Sequence, residues 1–120
     1  MLKQITTELY KECDISWERF MMMREKNLEP DFFQEVKPYA DHIQEKLKQW
    51  QDLSQQYIIE NRPKWIHMVQ INNACDAIEQ FVVQSFYQKT SKKRFYQSIQ
   101  SVKYTCETYL RFLNEEIQDD

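Results

Sequence analysis

No glycine occurs among the 120 residues of this chain. Hairpin turns and β-bulges call on residues that accept positive φ, and glycine does so without steric cost. A glycine-free chain is therefore poorly equipped to build a sheet. Helix interiors need no glycine, and the abundant Gln, Glu, Lys, Leu and Met are good helix formers.

The apolar residues agree. Met68, Ile71, Cys75, Ile78 and Val82 recur every three or four positions, and Phe95, Ile99, Val102, Cys106, Tyr109 and Leu113 do so again after a join at 87–91. Each set forms a stripe on one helix face. Neither stripe can stay in water, so the first half of the chain must cover them. A first helix over about residues 2–25 turns Leu2, Ile5, Leu9, Cys13, Phe20 and Met23 inward, with Trp17 and Met21 at the edge. Ser16 shares that stripe and is expected to bond back to a carbonyl one turn earlier. Ile15 and Met22, seven residues apart, fall on the outer face as a candidate contact surface. A second helix over 38–61 places Ala40, Ile43, Leu47, Trp50, Ser54 and Tyr57 inward, with Ile58 at their side. The third is expected over 67–87, and the fourth from the N-cap Ser91 to about 117. Gln118, Asp119 and Asp120 should fray.

The joins carry their own signals. Asn27 suits a left-handed helix cap. Asp31 can cap a short helical turn, with Gln34 in the capping-box position. Phe32 and Phe33 are apolar enough that at least one should plug the end of the core. Pro63 ends the second helix, because the residue before proline is pushed out of helical geometry. Trp65 and Ile66 should fold back over the core. Four helices with short joins predict an all-α fold: one domain over 1–120, an antiparallel up-down-up-down four-helix bundle.

That topology predicts a charge arrangement. Lys89, Lys92, Lys93 and Arg94 would share an end with Glu25, Glu29, Asp31 and Glu35. Arg62 and Lys64 would meet Glu115, Glu116, Asp119 and Asp120 at the other. Lys92, Lys93 and Arg94 stand at a helix N-terminus, where the macrodipole disfavours cations. They are expected to pair with Glu29, Asp31 or Glu35, or else to bind an anion. Phe95 and Tyr96 beside them would suit stacking on a base.

The net charge of -3 gives no general attraction to nucleic acid or anionic membrane. No apolar run approaches the roughly 20 residues that span a bilayer. The N-terminus reads as a periodic helix rather than a signal peptide. Cys13, Cys75 and Cys106 are odd in number and lie on helix faces, as buried reduced thiols would. These features place the chain in the cytoplasm. His42 and His67 lack the Glu three residues earlier that di-metal bundles use, and the inward stripes hold no carboxylate. No metal and no cofactor is expected. Buried thiols stay protonated and no phosphate loop can form without glycine, so no enzyme is expected either.

Several strings resemble the YppE-like family of small bacterial proteins. They are Asp31-Phe32-Phe33, Lys37-Pro38, Arg62-Pro63-Lys64-Trp65-Ile66-His67, Gln84-Ser85-Phe86-Tyr87, Lys92-Lys93-Arg94-Phe95 and Ser101-Val102-Lys103-Tyr104-Thr105. Trp65 and Ile66 stand where a relative carries Tyr and Val, and Ser91 where it carries His. The resemblance runs from about 31 to 117 and implies a four-helix bundle of low-GC Gram-positive bacteria, with no assigned activity and no catalytic residues to transfer. Two functional expectations stand. One is protein contact, as an adaptor or regulator, through surfaces that include Arg62, Lys64, His67, Ile15 and Met22, with Ile59, Val83 and Tyr104 also outward. The other is an anionic ligand or nucleic acid bound through Lys92, Lys93 and Arg94. Partner identity and oligomeric state are not readable from the residues.

Overall fold

The computed structural model describes the backbone of residues 1–118 and the side chains of residues 1–115. Asp119 and Asp120, expected to fray, lie outside them, as does the side chain of Glu116, while Glu115, expected beside Arg62 and Lys64, pairs with neither. Four helices account for most of the chain: α1 (Leu2–Lys26), α2 (Lys37–Asn61), α3 (Met68–Gln84) and α4 (Lys92–Gln118). No strand occurs among the described residues. The whole measures 50 × 26 × 22 Å.

The helix ends follow local chemistry. Asn27 closes α1 at φ 50°, ψ 47°, and its N–H reaches back to carbonyls of the last turn. Ser91 Oγ accepts from the Arg94 N–H at 3.2 Å at the start of α4. His67 is the N-cap of α3, and its N–H donates to Gln70 Oε1 at 2.7 Å. α3 stops at Gln84, three residues short of the expected end, and Ser85 to Tyr87 turn away through short-range bonds. Arg62 closes α2 at φ 46°, ψ 56°, left-handed in a residue with a β-carbon. The following Pro63 explains why the helix cannot simply run on.

The first join departs from expectation. Asp31 Oδ1 caps it by accepting from the Gln34 N–H at 3.0 Å, as predicted. The turn it caps, Phe32–Val36, is a π-helix: the Val36 N–H donates to the Asp31 carbonyl five residues back. A π turn inserts an extra residue relative to an α turn. The inner position therefore falls to Val36, which is fully buried, while Phe32 and Phe33 pack edge to face against each other at the surface. Neither phenylalanine plugs the core. At the other end Ile66 does fold inward as expected, but Trp65 stays 60% exposed.

The core contains every stripe named from the sequence on α3 and α4 except Met68, which packs against its edge. Leu9, Phe20, Ile43, Leu47 and Trp50 cover those stripes from α1 and α2. Phe20 and Phe95 stack with ring centroids 4.1 Å apart and planes 5° from parallel. Trp50, Thr6, Tyr109 and Ser54 match their polar atoms in this interior. Trp50 Nε1 donates to Thr6 Oγ1 at 2.9 Å, and the Thr6 hydroxyl donates to the Leu2 carbonyl. Tyr109 Oη and Ser54 Oγ lie 2.9 Å apart.

Contacts between helices pair rising numbers with falling ones. Tyr10 meets Glu107, Asp14 meets Lys103 and Trp17 meets Phe95 between α1 and α4. Gln44 meets Glu79 and Gln51 meets Asn72 between α2 and α3.

Replacing Leu47, which is 3% exposed, with Ala is expected to cost about 2–5 kcal/mol in urea unfolding. A loss within error would show that α2 does not pack through this face. The thiols give a pH test. Burial pushes Cys75 and Cys106 up to about 12 and raises Cys13 further still, from an ordinary 9.0. Between those limits the unfolded chain binds fewer protons than the native one, so stability must fall as pH rises through that window and be unaffected below it. Replacing all three cysteines with Ala should flatten that alkaline decline in thermal melts.

Candidate functional site

The most concentrated chemistry lies where α1, α2 and the end of α3 converge. Glu12, on α1, is 4% exposed. A buried carboxylate is costly unless donors reach it. Two do. The Ser16 hydroxyl, one turn on, donates to Oε2 at 2.7 Å, and the Tyr39 hydroxyl donates to Oε1 from α2. Ser16 thus serves a side chain rather than the backbone carbonyl expected for it. This carboxylate also corrects the expectation that the inward stripes hold none.

Arg19 supplies the counter-charge. Its Nη1 stands 4.0 Å from Glu12 Oε2 and donates to Ser85 Oγ at 2.9 Å. Ser85 in turn donates to the Val82 carbonyl at 2.6 Å. The guanidinium lies between two rings, 4.3 Å from the Tyr39 centroid and 4.4 Å from that of Phe86. Such faces attract a partly desolvated cation. Burial, then the bond to Glu12, pushes the Tyr39 phenol up to about 12, so it remains a donor at any physiological pH. Every polar group in the network has a partner and the centre is filled by rings. The arrangement is a clamp between elements rather than an open catalytic cleft.

The basic group stands elsewhere. Lys92, Lys93 and Arg94 are all exposed. Among the described residues the ion pairs are Arg19–Glu12, Lys37–Asp41, Lys46–Glu8 and Lys103–Asp14, so none joins this group to Glu29, Asp31 or Glu35. The expected pairing is absent, although the two joins do meet. Gln88 Nε2 donates to the Leu28 carbonyl at 3.2 Å, a neutral bond across the same gap. Long exposed side chains gain little from holding one geometry, and water serves them as well. Nearby, Arg24 buries Nη1 without a hydrogen-bond partner, its guanidinium 4.7 Å from the Phe20 ring centroid.

Ile15 and Met22 lie at the surface of α1, 46% and 40% exposed, as their spacing required. Arg62, Lys64 and His67 surround the opposite end, all exposed. There a feature appears that the stripes did not announce. Trp65, Gln70, Tyr104, Thr108, Arg111 and Phe112 line a groove of about 430 Å³, bordered by Glu115. Tyr104, on α4, is 71% exposed, and Val69 is exposed in the first turn of α3. Lys64 Nζ lies 5.4 Å from the Trp65 ring centroid. The sequence signals for this groove were an aromatic beside a helix-ending proline and a tyrosine off the stripe of α4.

Tyr39→Phe removes one donor from a buried carboxylate and leaves the ring in place. It should cost about 1–3 kcal/mol in urea unfolding, with native far-UV dichroism retained. An unchanged midpoint would mean that water replaces the phenol.

Comparison with known proteins matches this chain over residues 6–113 to a bacterial domain of unknown function, DUF1798. The uncharacterized protein YppE of Bacillus subtilis is 29% identical over 104 residues, which cover 87% of this chain and 85% of that one. The crystal structure of Bacillus subtilis YppE superposes with a TM-score of 0.93 at 26% identity, covering 98% of this chain and 95% of that one. A Listeria innocua protein of unknown function superposes at 0.91 and 26% identity, covering 98% and 94%. No helix among the described residues is long and apolar enough to cross a membrane. Matched over most of its length, the chain belongs to the bacterial DUF1798 family.

Proposed function

We propose that this protein works by contact with another protein, as an adaptor or regulator, and that the Trp65–Tyr104 groove is the face it uses. The four helices are read as an antiparallel up-down-up-down bundle, on the opposed numbering of their contacts. The observation behind the functional reading is the aromatic edge itself. Trp65 and Tyr104 are more than half exposed and flank one groove together with Arg111 and the side of Phe112. Trp, Tyr and Arg are the residues that most often anchor protein interfaces. Among the described residues Arg111 lines the groove and Lys64 stands over the Trp65 ring, against Glu115 at the border, so the reading commits to a partner surface that combines apolar with acidic side chains. Buried thiols pushed up to about 12 are poor nucleophiles, which supports binding over covalent catalysis.

The second reading places an anionic ligand or nucleic acid on Lys92, Lys93 and Arg94. Their lack of a carboxylate partner among the described residues favours it. Of the two rings expected to stack on a base, Phe95 is buried against Phe20 and Tyr96 is half-exposed, which leaves this reading behind the aromatic groove.

Tagged wild-type protein and a Trp65→Ala, Tyr104→Ala variant, expressed in the native host, separate these readings. Both positions are exposed, so the variant should unfold within about 0.5 kcal/mol of wild type. Proteins captured with wild type should be lost from the variant by mass spectrometry. Equal capture by both would remove the groove from consideration.

A further inference from the structure

A second groove runs between α2 and α3, on a different face from Trp65. Its first part is apolar, about 310 Å³ walled by Phe32, Val36, Ala40, Ile43, Val82 and Val83. Its second part is larger, about 710 Å³, with Leu47 and Cys75 among its lining residues. Asp41, Gln44 and Glu79 border both parts, so the two are continuous. Hydrogen bonds tie its walls, the Gln44 amide donating to the Glu79 carboxylate and the Gln51 amide to Asn72 Oδ1, each 3.2 Å.

The charge along the groove is mainly acidic. Asp41 and Glu45 stand one turn apart on α2, and Asp76 and Glu79 do so on α3. Like charges at this spacing repel. Lys37 engages Asp41 at 2.8 Å. Among the described residues, Glu45, Asp76 and Glu79 take part in no ion pair, and Lys48 is the other cation of the lining. From Val36 to Gln51 the groove follows α2 for roughly 22 Å, the length of four helical turns.

An apolar pocket at one end and an acidic wall along the rest fit one kind of occupant. We propose that the α2–α3 groove docks a basic amphipathic segment of a partner protein, seating one apolar side chain beside Phe32 and laying Lys or Arg along Glu45, Asp76 and Glu79. This is the helix-in-groove mode, in which apolar anchors fix position and charge sets partner choice. A single metal ion is a poorer occupant: among the described residues no three metal-ligating side chains converge. The proposal concerns a different surface and an oppositely charged partner from the Trp65 groove, so either can fail alone.

The test is fluorescence anisotropy of the full chain with a fluorescein-labelled synthetic helical peptide that carries Lys along one face and a Leu-Phe anchor at one end. Saturable binding is expected, weakening as salt rises. Glu45→Lys with Asp76→Lys should weaken it by at least about tenfold, as should exchange of the anchor for Ala-Ala. Both acidic residues are exposed, and far-UV dichroism with urea unfolding checks that the variant stays folded. The Trp65→Ala, Tyr104→Ala variant should bind the peptide as wild type does. No saturable binding, or equal binding by the charge-reversed variant, overturns the proposal. Equal binding without the anchor also overturns it, because attraction would then be electrostatic alone. Sedimentation showing a dimer that the charge reversal dissolves would assign the groove to a second copy of this chain instead.

Discussion

Glu12 decides how the helices of this protein sit against one another. Apolar stripes are forgiving: a helix displaced by one turn still sets hydrocarbon against hydrocarbon. A buried carboxylate is not, since it must find its donors at fixed points in space. Here those points are Ser16 on the same helix and Tyr39 on the next, with Arg19 carrying the network onward to Ser85. Slide α2 by a turn and Tyr39 leaves, stranding a charge in the interior. Such a network adds little net stability over hydrocarbon of the same shape, because desolvation offsets most of its attraction. What it contributes is a penalty on the wrong alignments.

Much of the architecture was legible in the residues because the helical period is strong. Leu9, Phe20, Ile43, Leu47, Trp50, Ile78 and Tyr109 were assigned inward from spacing alone, and all are buried. Asn27 and Ser91 were legible because their side-chain chemistry selects those backbone positions. Glu12 was not, since a charged residue beside a stripe ordinarily faces solvent. One clue existed: Ser16 sits on the stripe and needs a partner, and Glu12 is one turn away. Phe32 and Phe33 were misplaced because size and apolarity do not reveal a π turn, which hands the inner position to Val36. The absent pairing of Lys92, Lys93 and Arg94 had a different origin. Sequence brought the right helix ends together, as Gln88 and Leu28 show, but cannot fix where a long mobile cation rests.

The two grooves follow from how helices of unequal lining meet. Near the Arg62–Pro63 break, Trp65 and Tyr104 stand exposed beside one groove. Where α2 and α3 run together, acidic residues line both banks of the seam, and the Gln44 and Gln51 amides tie the banks together. An overall charge of -3 is thus unevenly spread, with Asp41, Glu45, Asp76 and Glu79 gathered along the α2–α3 flank. A field divided in this way orients an approaching charged molecule before contact is made.

The lack of glycine reaches beyond the exclusion of sheets. Arg62 and Asn27 hold left-handed geometry with β-carbons in place, where glycine would have been easier to accommodate. The unfolded chain, in exchange, explores fewer backbone states than one punctuated by glycine, and surrenders less entropy when it orders. The same stiffness carries into the native joins. The segment from Arg62 to His67 has a proline and no glycine, which narrows the backbone states open to Trp65. A molecule that meets this edge finds it already shaped, and the ordering cost of recognition has been met during folding.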